Sequence, residues 1–217
     1  MCLIIYGHEH SKYSRQLDQL FRIRYKVFVQ ERKWSLPSHN GFEIDQYDTT
    51  DAVYFISYGA DGAIEASVRL TPTMQSSLLA DYFPHLIETG DEPRSPHIYE
   101  ATRYIVQPAR KSRDALREAK ARIFVPVVEW CLEQRLTHFQ TVIDARALSS
   151  YLEISPQTGV LGLAHPFGGG PGAPGGGECM AIRWPINAQG LEDVRAFADP
   201  NRSHRGSERV QAEITMH

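Results

Sequence analysis

Five side chains between positions 24 and 48 have the chemistry to bind a small cationic ligand. Arg24, Phe28 and Trp34 come first, and the carboxylates of Asp45 and Asp48 follow. Aromatic rings attract cations through their faces, and a carboxylate holds an ammonium group by charge-assisted hydrogen bonds. The D-x-x-D spacing lacks the alternating oxygen ligands and the closing Glu of a calcium loop. The segment therefore predicts a pocket for a cation that stacks on aromatic rings, without a metal.

The same residues also have a purely structural interpretation. Arg24 and Phe28 are four residues apart, so on a helix they share one face, with Phe28 in the core and Arg24 paired at the surface. Asp45 and Asp48 can serve as caps of a solvated turn. From the residues alone, both interpretations stay open.

Further charged residues lie on two predicted strands. Arg69 ends one strand and is a candidate buried partner for Asp45 or Asp48. Glu100 and Arg103 share a later strand, where residues three apart point to opposite faces. These two converge only if a bulge intervenes between them. Glu100 is then either a general base at a cleft or one of a pair of structural ions.

A basic run marks the start of a predicted long helix. Most runs of this kind are simply solvated. A helix N-terminus also favours anions, so the run suits a phosphopantetheine arm or the acidic surface of a carrier protein. The run consists of Arg110, Lys111, Arg113, Arg117, Lys120 and Arg122.

Hydrophobic periodicity predicts the elements that position these side chains. Asp61 and Gly62 stand between two apolar runs, which is a strong hairpin signal. Antiparallel strands interrupted by helices favour an α/β (α+β) fold, with a mixed central sheet and helices on both faces. Strands are predicted at 1–6, 52–58, 63–70, 97–106, 138–144 and 180–186, and helices at 14–30, 77–87, 112–136 and 145–152.

Composition indicates one globular domain. The chain has 217 residues, of which 42% are apolar and 23% charged, and its net charge of −3 does not suggest a nucleic-acid partner. Its three scattered cysteines form no CxxC motif, which predicts a reduced, cytoplasmic protein. No segment approaches the roughly 20 apolar residues of a membrane helix. We expect a single domain over 1–198, a flexible Gly-rich loop at 168–177 and a frayed tail at 199–217.

Eight of these residues, in order and at near-identical spacing, resemble the set shared by the acyl-homoserine lactone synthases, which make the autoinducers of bacterial quorum sensing. They are Arg24, Phe28, Trp34, Asp45, Asp48, Arg69, Glu100 and Arg103. The motifs E-x-D-x-Y-D, R-L-x-P-T and E-x-x-R-Y match as well, and the resemblance covers residues 5–165. The segment ALSSYLEISPQTGVLGL is closer to the branch that uses acyl-coenzyme A. The Gly-rich loop and the tail have no counterpart in the family.

The resemblance implies the fold of the Gcn5-related N-acetyltransferases, abbreviated GNAT, and a reaction with two substrates. S-adenosylmethionine supplies the homoserine lactone. An acyl thioester, on coenzyme A or on acyl-carrier protein, supplies the acyl chain, and methylthioadenosine leaves. No metal and no tightly bound cofactor is implied.

The resemblance also implies roles for individual residues. The implied catalytic residues are Glu100 as the base, Asp45 as the group that holds the amine, and Arg103. Residues implied to bind or support S-adenosylmethionine are Arg24, Phe28, Trp34, Asp45, Asp48, Arg69 and Phe83. Thr141 is implied to tune the acyl preference, and the donor contacts would be Arg110, Lys111, Arg113 and Arg117.

Two other functions are compatible with such a fold. A GNAT-fold N-acyltransferase would use acyl-coenzyme A without forming a lactone. Its pyrophosphate loop, Q/R-x-x-G-x-G/A, should follow the Glu100 strand, where this chain reads QPARKSRDA without a glycine. A non-catalytic relative would bind the ligand in a pocket without turnover.

Overall fold

An eight-stranded mixed sheet forms the centre of the computed structural model, which describes residues 2–199. Its strands run in the order β1-β4-β5-β6-β7-β10-β8, and β9 pairs with β10. The β6–β7 pair is parallel and the other neighbouring pairs are antiparallel. The strands are β1 Cys2–Tyr6, β4 Val53–Tyr58, β5 Ile64–Pro72, β6 Ile98–Val106, β7 His138–Asp144, β8 Gly159–Val160, β9 His165–Phe167 and β10 Gly177–Pro185, while β2 Ser38–His39 and β3 Phe42–Glu43 form a separate hairpin.

Helices cover both faces of the sheet. On one face, Leu17 and Leu20 pack with Ile5, Tyr54 and Ile56 of the strands. On the other face, a larger core joins the strands to the long third helix. The α-helices are α1 Ser14–Arg24, α2 Leu78–Tyr82, α3 Arg113–Glu133, α4 Leu148–Ile154 and α5 Ala188–Ala198, with 3-10 turns at Gly7–Glu9, Pro84–Leu86 and Ala145–Ala147. The predicted mixed sheet with helices on both faces is thus confirmed.

Most predicted elements form, with shifted ends. The hairpin at Asp61 and Gly62 joins β4 to β5, and Gly62 has the positive φ of 75° that its turn requires. The helix predicted over 14–30 continues beyond Arg24 as a π-helical segment, Tyr25–Glu31. Helix α5 and the hairpin β2–β3 were not predicted.

The predicted Gly-rich loop forms a series of turns between β9 and β10, as its composition requires. Its flexibility stays a prediction. The predicted tail lies, beyond Asp199, outside the described residues. Within residues 2–199, no helix combines the length and the apolar character needed to cross a membrane.

The sheet opens between its two parallel strands. Strands β6 and β7 pair only from Ile98–His138 to Glu100–Gln140, although β6 continues to Val106. Beyond the Glu100–Gln140 pair the two strands separate. This opening is where the candidate site lies.

Candidate active site

Three arginines and three carboxylates form one buried cluster beside the opening. The arginines come from the end of α1, from β5 and from β6, and the carboxylates come from β3 and the loop after it. Every side chain in the cluster is at most 9% exposed. Equal numbers of opposite charges at hydrogen-bond distance partly offset the cost of removing them from water. The members of this ionic cluster are Arg24, Arg69, Arg103, Glu43, Asp45 and Asp48.

Arg24 connects two of the carboxylates. Its Nε donates to Glu43 Oε2 at 2.6 Å, and its two terminal nitrogens donate to the oxygens of Asp48 at 2.7 and 2.8 Å. The hydroxyl of Tyr54 also donates to Asp48, at 2.9 Å. Burial works to raise the pKa of Asp48, but bonding to Arg24 and the charges of Arg24 and Arg69 hold that pKa well below its usual range. Asp48 is therefore ionised at neutral pH. Arg24 is 1% exposed, so the interpretation in which it pairs at the surface is wrong.

Arg69 and Arg103 meet on the carboxylate of Asp45. Arg69 Nη1 lies 2.5 Å from Asp45 Oδ1, and Arg103 Nη2 lies 2.6 Å from Asp45 Oδ2. Arg69 is also 2.8 Å from Asp48, which confirms the predicted buried partnership with either acid. Arg103 additionally donates to Glu43 at 2.8 Å. Asp45 is thereby fixed from two sides.

A bulge in β6 brings Arg103 into the cluster. Ser67 faces Ile105 and Arg69 faces Thr102, so one residue of β5 lies opposite two residues of β6 between these pairs. Arg103 itself has a φ of 55°, which is uncommon for a residue with a side chain. On a regular strand Glu100 and Arg103 would point to opposite faces, and the bulge predicted as necessary for them to share a face is present.

Glu100 lies beside the ionic cluster and is fully buried. Its two carboxylate oxygens accept the backbone N–H groups of Leu78 at 2.5 Å and Leu79 at 2.8 Å, at the start of α2. Burial raises the pKa of Glu100 to about 7, against the lowering effect of these N–H groups. The carboxyl group can therefore gain or lose a proton near neutral pH, but both of its oxygens are occupied in this structure.

Phe28 and Trp34 stack directly on each other beside the cluster. Their ring centroids are 5.2 Å apart and the planes differ by 11°. The two rings stack on each other in this structure, so a ligand between them would require one ring to move, and the bracketing of a ligand stays a prediction. Phe28 is 2% exposed, as the core interpretation requires, and the Arg103 guanidinium lies 5.6 Å from its ring centre. The aromatic pair and the ionic cluster thus adjoin.

The other predicted site residues lie around this centre. Thr141 is buried on β7, one residue past the last pair of the parallel ladder. Phe83 is half-buried and packs with Leu79, Leu86 and Leu161. Thr141 therefore borders the opening, while Phe83 belongs to an apolar group that follows α2.

The basic run is only partly available to a ligand. Arg110 and Lys111 are exposed, and the side chain of Arg113 is 88% exposed. Arg117 pairs with Asp114 at 2.7 Å, and Arg122 pairs with Glu65 at 2.8 Å. Arg113 lies 3.6 Å from Glu153, but both side chains are largely exposed, so Arg113 stays accessible together with Arg110 and Lys111. These three residues are the better candidates for contact with an anionic donor.

A separate cavity of about 240 Å³ has Asp48 in its wall. Its walls include Gly7, His10, Phe21, Ile44 and Tyr54. No group of His, Cys, Asp and Glu side chains among residues 2–199 is arranged to hold a metal ion. The cavity is an alternative place for a ligand, against which the site at the opening can be tested.

Three residues of the site were not singled out in the sequence. Glu43 binds both Arg24 and Arg103, Tyr54 donates to Asp48, and Thr102 accepts from Arg69 Nε at 3.0 Å. Glu43 is the first letter of the E-x-D-x-Y-D motif, so the signal was present. Tyr54 lies in an apolar strand, and threonine is common in strands whatever its contacts, so these two residue types gave no indication of a role in the site.

The chain belongs to the autoinducer synthase family, whose model matches residues 8–155. It is 32% identical over 152 residues to the isovaleryl-homoserine lactone synthase of Bradyrhizobium diazoefficiens, and this alignment covers 70% of this chain and 67% of that relative. It is 38% identical over 119 residues to an acyl-homoserine-lactone synthase of Ralstonia nicotianae, and this alignment covers 54% of this chain and 58% of that relative.

The fold is similar to that of BjaI, a CoA-dependent acyl-homoserine lactone synthase solved with S-adenosylmethionine and isopentyl-CoA. The TM-score is 0.77 at 28% identity, over 89% of this chain and 87% of that chain. The GNAT-like sheet predicted from the resemblance is thereby confirmed.

Proposed function

We propose that this protein is an acyltransferase that makes an acyl-homoserine lactone, a quorum-sensing signal, from S-adenosylmethionine and an acyl thioester. The observation that carries the proposal is the convergence of the ionic cluster, the Phe28–Trp34 pair and Glu100 beside the opening between β6 and β7. Related synthases that form lactones, and the solved relative with both substrates, support it.

S-adenosylmethionine would contact the least buried part of the ionic cluster. Asp45 and Arg103 are 7% and 9% exposed, whereas the other four side chains are at most 2% exposed. We assign the substrate ammonium to Asp45 and its carboxylate to Arg103, because these charges are complementary. The sulfonium would lie near the aromatic pair, where cation–π attraction is available. Arg24, Arg69 and Asp48 would then hold Asp45 and Arg103 in place.

The first chemical step joins the amine to the acyl group. The ammonium must lose a proton before its nitrogen attacks the thioester carbonyl. The new C–N bond then replaces the C–S bond, and the thiol leaves with a proton. We assign the proton to Glu100, through a water molecule, because both of its oxygens already accept backbone N–H groups. Backbone N–H groups at the Arg103 bulge would stabilise the oxyanion.

The second step closes the lactone. The methionine carboxylate attacks its own γ-carbon, so that a C–O bond forms while the bond from that carbon to sulfur breaks. Methylthioadenosine leaves and the positive charge of the sulfonium disappears. The role of the protein here is to hold the carboxylate near the carbon, which is a matter of positioning.

We propose coenzyme A as the carrier of the acyl group. The relative solved with isopentyl-CoA supports this donor, as does the exposed group Arg110, Lys111 and Arg113 at the start of α3. Cationic side chains at a helix N-terminus suit phosphate groups. Thr141 borders the opening and is the proposed determinant of acyl preference, while Phe83 closes the site from the α2 side.

We further infer one catalytic domain over residues 1–198 that works in the cytoplasm. The eight-stranded sheet includes both β1 and β10, and among the described strands only β2 and β3 lie outside it, which supports one domain. Cys2, Cys131 and Cys179 are all free thiols, which supports a reducing compartment.

The test is product analysis with the purified protein. It is incubated with S-adenosylmethionine and a panel of acyl-coenzyme A thioesters, and products are identified by mass spectrometry. We expect an acyl-homoserine lactone and methylthioadenosine in equal amounts. An acylated amine without methylthioadenosine would indicate an ordinary N-acyltransferase. Binding of S-adenosylmethionine without any product would indicate a non-catalytic relative.

A further inference from the structure

We infer that residues 167–176, named the strap, hold Trp34 in its stacked position, and that Phe167 is a positioning residue for S-adenosylmethionine binding. The inference rests on the proposed function, because it takes Trp34 as part of the substrate site. The strap comprises Phe167 at the end of β9 and the Gly-rich turns that lead to β10. It lies far along the chain from Trp34, yet it contacts the segment that carries this ring.

The first contact is between aromatic rings. Phe167 meets Trp34 edge to face, with centroids 6.3 Å apart and planes at 85°. The Phe167 ring itself is seated on Gly177, its partner in the β9–β10 ladder. A Cβ at Gly177 would lie 3.0 Å from the Phe167 ring and would push the ring away. Glycine at this position therefore lets the ring keep its present position. The sheet thereby fixes the ring that contacts Trp34.

The second contact is between backbones. A Cβ added at Gly175 would lie 2.4 Å from the carbonyl oxygen of Lys33, so the strap backbone packs directly on that peptide. Lys33 has a φ of 60°, a conformation that residues with side chains rarely adopt without support from their surroundings. The strap covers this unusual residue immediately before Trp34.

Trp34 depends on such contacts because residues 32–37 form neither helix nor strand. On its other side, the backbone N–H of Trp34 donates to the backbone carbonyl of Phe28 at 2.9 Å, and the Trp34 ring stacks on the Phe28 ring. The Arg32 guanidinium also lies 5.3 Å from the Trp34 ring centre, so the strap adds a further support from a distant part of the chain. Removing it should free Trp34 to leave the stack and weaken the binding of the sulfonium substrate, with little effect on the acyl donor.

Two glycines in the strap give a matched pair of variants. Gly175 and Gly172 both have positive φ, at 75° and 92°, so alanine strains the backbone at either position. Gly172 has open space around it, whereas Gly175 meets Lys33. We expect Gly175→Ala to raise the KM for S-adenosylmethionine about tenfold, equivalent to about 1.4 kcal/mol, and Gly172→Ala to change it less than about twofold. The KM for the acyl thioester should stay within about twofold in both variants.

Phe167 is tested with a conservative rescue. Phe167→Ala should raise the KM for S-adenosylmethionine, and Phe167→Tyr should restore it, because tyrosine keeps the ring edge. Equal effects of Gly175→Ala and Gly172→Ala, or parallel rises in both KM values, would overturn the inference.

A readout without turnover separates this inference from the proposed function. Trp130 and Trp184 are buried, so acrylamide quenching of tryptophan fluorescence reports mainly on half-buried Trp34. Gly175→Ala should increase quenching and Gly172→Ala should not. If quenching differs in this way but the wild-type protein makes no lactone, the role of the strap stands and the synthase function is rejected. If the two variants are quenched equally and the wild-type protein is active, only the role of the strap is rejected.

Discussion

Arg103 reaches Asp45 from a backbone bulge, and their charged atoms lie 2.6 Å apart. The φ of 55° at Arg103 places its guanidinium on the face of β6 that Glu100 also occupies. This relationship links the two ends of the site, because Asp45 follows the β2–β3 hairpin while Glu100 stands where the parallel strands separate. Strain in the backbone at such a point persists only when the surroundings hold it.

Removing Arg103 should therefore destabilise the protein as well as inactivate it. Arg103→Ala would leave Glu43 and Asp45 with less compensating charge in a buried place, at a cost of about 3–5 kcal/mol. Denaturant unfolding should show this loss. The control is Arg146→Ala, whose guanidinium is exposed although it pairs with Asp144 at 2.6 Å, and it should leave the stability almost unchanged. Similar losses in the two variants would contradict the proposed importance of the cluster.

Asp48 should make stability depend on pH in the acid range. Its pKa is depressed in the folded state, so the unfolded chain takes up a proton first, near pH 3.9. The contribution of Asp48 to the free energy of unfolding should consequently be constant above about pH 5 and fall as the pH drops below about 4. Denaturant titrations between these values measure it. Asp48→Asn should be less stable at pH 7 and should show a weaker decline, and an unchanged decline would assign the effect to other acids.

Glu100 should control the rate near neutral pH. If its carboxylate accepts the proton of the substrate amine, kcat should rise with pH and level off above about pH 7, the pKa to which burial raises it. Glu100→Gln should reduce kcat more than about tenfold, or 1.4 kcal/mol, and remove this pH dependence.

Glutamine also turns an N–H group towards the N–H groups of Leu78 and Leu79, so the folded fraction must be measured beside kcat. Glu118→Gln, at an exposed helix position, is the control and should leave the profile unchanged. A loss below tenfold in folded Glu100→Gln would leave Glu100 as a positioning residue only.

Loss of the hydroxyl should change the stability of the protein in opposite directions at two tyrosines, Tyr104 on β6 and Tyr54 on β4. The Tyr104 hydroxyl is buried without a hydrogen-bond partner among the described residues, and burial raises its pKa well above the usual range. Tyr104→Phe should therefore stabilise the protein by about 1 kcal/mol. Tyr54→Phe removes the bond to ionised Asp48 and should cost about 1.5–3 kcal/mol. Thermal and denaturant unfolding of the two variants provide the comparison, and a loss in both would mean that Tyr104 has a partner.

Local sequence patterns predicted the secondary-structure elements better than the contacts between those elements. The hairpin at Asp61 and Gly62 could be predicted because turn chemistry and alternation are local. Helix α5 was missed although Asn187 caps it, since Gly190 and the polar surroundings obscured its periodicity. The separation of β6 from β7 could not be predicted, because it depends on pairing between distant segments.

The candidate site shows the same limit. The eight ordered residues predicted where charge and aromatic groups lie in the chain, and Arg69 was correctly matched to Asp45 and Asp48. Glu43 was not matched to Arg103, which is 60 residues away and reaches it only through the bulge. The stacking of Phe28 on Trp34 likewise depends on a loop conformation that the sequence does not specify.

A crystal structure with bound S-adenosylmethionine tests the central claim most directly. We expect the substrate ammonium within about 3.2 Å of Asp45 and the sulfonium within about 6 Å of the Phe28 or Trp34 ring. We also expect the reacting carbon at the opening beside Glu100. A molecule bound instead in the cavity lined by His10, Phe21 and Tyr54, away from the Phe28 and Trp34 rings, would contradict this placement.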